Sequence, residues 1–90
     1  MSGSFNTMDV RPWYIPKTKN KGTAEFQQLF KSIPRVLAAI NWLDISNRTN
    51  LRLKLEIGDV GVKGLTWQLD AWDDTILYSA GASYIAILDS

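Results

Sequence analysis

The sequence predicts an all-β domain, a small antiparallel sandwich or barrel, and three observations predict it. From about Ala24 onward, short apolar runs are separated by turn residues at intervals of roughly ten, the spacing of an all-β domain. The run Asn50–Val60, NLRLKLEIGDV, sets Leu51, Leu53, Leu55 and Ile57 on one face and Arg52, Lys54 and Glu56 on the other, the period of a half-buried strand. The closing run, TILYSAGASYIAIL, is mostly β-branched, aromatic or small.

Five or six strands follow in order. Residues 1–22 are polar, carry Pro12, Pro16 and Gly22, and show no sustained period, so they are expected to be a loop or arm preceding a domain over 23–90. Within the arm Trp13, Tyr14 and Ile15 form an apolar knot that would pin it to the body. The first strand is expected near Ala24–Lys31, ending before Ser32 and Pro34. The second covers Arg35–Asp44, and SNRTN follows as a polar turn. The third is the alternating run already described. Gly58, Gly61 and Gly64 punctuate the next connection, and Val62–Trp72 forms a further strand. After Asp73 and Asp74 come two short strands, or one long one bent near Ser79–Gly81. Only 24–32 and 36–43 could be written as helices, and both make better strands.

Ninety residues support one core. A domain of this size buries only about 60% of its unfolded surface, so association with further copies would supplement its stability. The second strand gives an independent reason. Val36, Ala38, Ile40 and Trp42 and their alternates Leu37, Ala39 and Leu43 make it apolar on both faces, and a strand of that kind in so thin a domain wants a partner surface.

Ten basic and nine acidic residues leave a net charge of +1, without the clustered cations that binding a phosphate backbone requires. Nucleic acid is not an expected partner. The chain has no cysteine and no histidine, which removes disulfides, thiol nucleophiles, the usual zinc ligands and the commonest neutral-pH base. No metal and no cofactor are expected. The first twenty residues lack the basic start and apolar run of a signal peptide, and no stretch is long enough to span a bilayer. Cytosolic synthesis is the expectation, with any release by a non-classical route and no membrane insertion. Asn47-Arg48-Thr49 fits a glycosylation sequon, which carries little weight without a secretory signal.

Asp70, Asp73 and Asp74 put three carboxylates within five residues. Glycoside hydrolysis needs such a pair, but one member must be raised in pKa inside a cleft, and a thin sandwich has little depth for one. A solvated turn is the simpler account, and the chain is not expected to be an enzyme. Sugar binding asks for an exposed aromatic plane with rigid donors and acceptors at its edge. Trp72 supplies a plane, unless it plugs the end of the core. Arg52 supplies a planar fork of donors, unless it is a solvated strand residue; Asp73 can accept, unless it serves the turn alone.

A resemblance sharpens this choice. The run from about Phe26 to Ile87 resembles an H-type lectin domain. The anchors are Pro34 before the second strand, Leu43-Asp44 at its end, the triplet Asn50-Leu51-Arg52, the pair Gly64-Leu65, and W-x-[DN]-T at Trp72, Asp74 and Thr75. The resemblance implies a six-stranded antiparallel β-sandwich that assembles as a trimer, with galactose or N-acetylgalactosamine bound in clefts between protomers. It assigns sugar hydroxyls to Arg52 and implies that Trp72 and Asp73 reach the sugar from the adjacent subunit. Tyr78 matches an aromatic position lining the cleft. Glycans ending in galactose-type sugars and further copies of the chain are therefore the expected partners, in a homotrimer or a hexamer.

Two departures stand out. A snail member of the family carries a histidine where this chain has Asp73. The ungapped counterpart of its amino-terminal site loop falls on Trp13, Tyr14 and Ile15, without a carboxylate. Asp9 swinging in, or stacking by Trp13, are the two replacements available. The alternative to a lectin is a trimeric assembly module of the same fold that has lost sugar binding.

Overall fold

The computed structural model describes residues 1–88. Strands β1 (Ser2–Asn6), β2 (Lys19–Glu25), β3 (Arg35–Ile45), β4 (Leu53–Gly58), β5 (Gly64–Ala71) and β6 (Leu77–Ile87) form two antiparallel sheets, ordered β1-β6-β3 and β2-β5-β4. The expected all-β sandwich is the fold.

The core lies between the two central strands. Along β5, Leu65, Trp67, Leu69 and Ala71 are buried and alternate with Thr66, Gln68 and Asp70. Facing them, β6 contributes Ala80, Ala82, Tyr84 and Ala86. Large side chains of one sheet thus meet small ones of the other, the interdigitation that fills an interior to crystal-like density. The ring of Phe5 stacks on Trp67 with centroids 4.8 Å apart and planes 9° apart, a contact worth about 0.5–1.5 kcal/mol beyond the area it buries. On β4, Leu53, Leu55 and Ile57 pack against this core while Lys54 and Glu56 point to solvent, as the alternation predicts.

Several expectations are corrected. The segment 1–22 is not an arm, because residues 2–6 form β1 along β6 and residues 19–22 begin β2. Neither strand carries an apolar alternation, and the reason is the size of what each faces. A Cβ on Gly3 would fall 2.5 Å from the Tyr84 ring, and one on Gly22 would fall 2.5 Å from Trp67. The partner ring already fills the space at these two positions, so neither has room for a side chain. The first predicted strand, 24–31, meets β2 only at Ala24 and Glu25; Phe26 and Phe30 instead sit in the connection after β2 as a buried edge-to-face pair, with their N–H groups bonded to the carbonyls of Lys63 and Val62. Leu51 is exposed and precedes β4 rather than belonging to it. The closing run is one continuous strand; Gly81 is in it because a Cβ there would meet the side-chain amides of Asn6 and Asn41.

The two sheets differ on their outer faces. Around β5 the outward residues are Lys19, Lys21, Lys54, Glu56, Gln68 and Asp70, a charged surface. On the other sheet Leu37 lies opposite Ile85, with Ile87 beside them, and all three are exposed. After the irregularity between Ile40 and Trp42, the Trp42 indole also lies outside the core and donates to Ser79 Oγ at 2.8 Å.

Candidate functional site

Because β4 and β5 are neighbours, the residues before β4 lie beside the turn that leaves β5. Thr75 ties them together. Its hydroxyl is buried, donates to the carbonyl of Asn50 at 2.5 Å and accepts the N–H of Arg52 at 3.0 Å. The two ladder positions just before β4 are thus satisfied by a side chain, which is why β4 begins at Leu53 and not at Asn50. A further pair of bonds, Ile76 N–H to Thr49 Oγ1 and Ser46 N–H to the Ile76 carbonyl, joins the same turn to the end of β3.

On this base stand the exposed groups. Trp72 is 50% exposed, so its indole does not plug the core. Asp73 adopts φ 62°, the left-handed region that aspartate tolerates better than most side chains. The Arg52 guanidinium lies 3.2 Å from Asp74 Oδ1, within hydrogen-bonding range, and 3.5 Å from Asp73 Oδ2. Arg52 and Asp73, which the resemblance divides between two copies, therefore meet within one chain. The cause is topological: the start of one strand and the end of its neighbour share an end of the sheet.

A second cluster forms around the segment before β2. Trp13 sits edge-on to Tyr78, with centroids 6.5 Å apart, and edge-on to Tyr14 at 5.7 Å. Trp13, Tyr14 and Ile15 are all exposed. What fixes them is Arg11, which the sequence did not single out. Its buried guanidinium donates to Asn20 Oδ1 at 2.8 Å, to the Leu77 carbonyl at 3.0 Å, and to the carbonyls of Tyr78 and Pro12. Asn20 in turn donates to the Leu69 carbonyl at 3.0 Å, so the cluster is fastened to both sheets. Burial lowers the Arg11 pKa from its ordinary value, yet guanidinium remains charged in proteins. Nothing in the sequence marks Arg11 out, because its burial and its acceptors exist only in the folded chain.

Asp9 serves neither cluster directly. Its carboxylate accepts the Asn6 N–H at 2.9 Å while the Asn6 side chain accepts from Met8, closing a cap on the single 3-10 turn Thr7–Asp9. The structure thus gathers Arg52, Asp73 and Trp72 at one turn and Trp13 with Tyr78 at another, and leaves Asp9 to local structure. A cavity of about 440 Å³ lies at the opposite end of β5, lined by Thr23, Glu25, Asp59 and Lys63 among others and by no aromatic ring. Among the described residues, no group of three or more acidic, histidine or cysteine side chains could hold a metal ion.

On this antiparallel sandwich, one turn carries a half-exposed indole together with two carboxylates that hold the Arg52 guanidinium. The family model for the H-type lectin domain matches residues 22–87, and the chain belongs to that family. The family is carbohydrate-binding and non-enzymatic, which gives this chain a lectin role at the family level. No curated protein matches the chain.

Proposed function

We propose that the protein is a multivalent, non-enzymatic lectin for galactose or N-acetylgalactosamine ends of glycans, with its sites at the seams of a homotrimer. The observation that carries this is a half-exposed Trp72 in the same turn as Asp74, whose carboxylate orients the Arg52 guanidinium. Trp72 offers its face to the C–H side of a pyranose. Arg52 donates to adjacent hydroxyls, and Asp73 accepts from a third. Trp13 and Tyr78 close the cleft, contributed by a neighbouring copy. The exposed apolar strip of Leu37, Ile85 and Ile87 supports the trimer, since three copies joined in a ring would cover it.

A monosaccharide offers few atoms, so single-site dissociation constants on the order of 0.1–1 mM are expected, raised by avidity on clustered glycans. Agglutination and cell adhesion follow where sites on one assembly face different cells. The test is calorimetry or a glycan array on wild type and Trp72→Ala. Loss of stacking lowers affinity by about ten-fold or more. Unchanged binding in the variant would sink the platform, and silence of the wild type across a broad array would favour the assembly module instead.

A further inference from the structure

We infer that this site selects hexosamines carrying a free ammonium group over neutral sugars, and rejects sugars carrying a carboxylate. The inference rests on the lectin reading of the site and concerns its charge. Arg52 brings one positive charge to the turn, and Asp73 and Asp74 bring two negative ones, all within 3.5 Å of the guanidinium. Among the described residues, Arg52 is the only cation at ion-pair distance from either carboxylate. The balance at the platform is therefore one negative charge.

The two carboxylates are not equivalent. Asp74 is the closer and makes the hydrogen bond to Arg52, so its charge is spent on orienting the fork. Asp73 stands 0.3 Å further off and its side chain is 64% exposed, directly after the indole in sequence. Asp73 is thus the acceptor left over for a ligand. A sugar stacked on Trp72 presents its ring substituents to this carboxylate. A hydroxyl can donate one neutral hydrogen bond there, whereas an ammonium adds charge to the bond and strengthens it. An acetylated amine keeps a donor but loses the charge. A uronic or sialic carboxylate meets Asp73 as a like charge, and the already paired Arg52 has little left to offset the repulsion.

The contact is solvated, so its effect is that of an exposed ion pair: galactosamine should bind about two- to five-fold more tightly than galactose. The experiment compares galactose, N-acetylgalactosamine, galactosamine and galacturonate by calorimetry at about pH 6, where the sugar amine is protonated and the uronic acid ionised. Wild type should rank galactosamine first and galacturonate last, and raising salt to about 1 M should draw the ranking together as screening shortens to a few ångströms. In Asp73→Asn, which keeps a residue suited to left-handed backbone, the galactosamine-to-galactose ratio should fall to about one, whatever the variant's absolute affinity. Equal affinity for the two sugars in wild type, or a preference that survives Asp73→Asn, overturns the inference while the lectin reading stands. Failure of all four sugars to bind overturns both.

Discussion

Arg11 takes a full charge out of water and finds only an amide oxygen and main-chain carbonyls to receive it. The cost of such burial is tolerated because every guanidinium nitrogen donates at least one hydrogen bond and because those same acceptors would otherwise be stranded. Arg11→Met keeps the length and removes every donor, leaving Asn20 Oδ1 and the Leu77 carbonyl unpartnered in the interior. The expected loss is about 2–3 kcal/mol, read as a lower urea midpoint at unchanged slope. At the same residue scale the sequence exposed Trp72 and Arg52 but passed over Arg11, since an isolated arginine beside a proline gives no sign of what it will touch.

The W-x-[DN]-T turn is the element through which fold and site are joined. Asp74 orients Arg52 from the side-chain direction, and Thr75 fixes its backbone. Thr75→Val keeps the shape and deletes the hydroxyl, which strands the Arg52 N–H and the Asn50 carbonyl together. Thermal unfolding should show a loss of about 1–3 kcal/mol, and sugar titration on the folded variant should show weaker binding, because the guanidinium then loses its fixed origin. A stable variant with full affinity would mean that the clamp is dispensable. Element by element, the alternation in β4 and β5 was legible, because those strands meet a core on one face and water on the other. β1 and β2 were not. Their inward positions are Gly3, Phe5, Asn20, Gly22 and Ala24, a series in which glycine and asparagine break the hydrophobic period.

The molecule as a whole is slender, 47 × 19 × 17 Å, with a radius of gyration of 14.0 Å against the roughly 12 Å usual for a chain of this length. A thin sandwich leaves apolar side chains outside, and the large exposed ones within described strands all lie on the β1-β6-β3 sheet. The charged sheet around β5 suits solvent; the strip of Leu37, Ile85 and Ile87 suits another copy. Ile85→Asp puts a charge at the centre of that strip while leaving the core untouched. Light scattering should then report the mass of one chain instead of three, and agglutination of glycan-bearing cells should cease. A trimer that survives the substitution would place the interface elsewhere.

What the sequence determined by itself was whatever can be read locally: the all-β class, the half-buried strands, the lack of cysteine and histidine, and the W-x-[DN]-T motif. What the tertiary structure decided was which residues answer one another across the chain. Trp67 and Tyr84 dictate glycines on strands far from them in sequence, and Arg52 finds Asp73 and Asp74 in its own chain because two strands lie side by side. Periodicity is a property of one segment and can be counted along it, whereas filled space and paired charge belong to two segments at once and exist only after they have met.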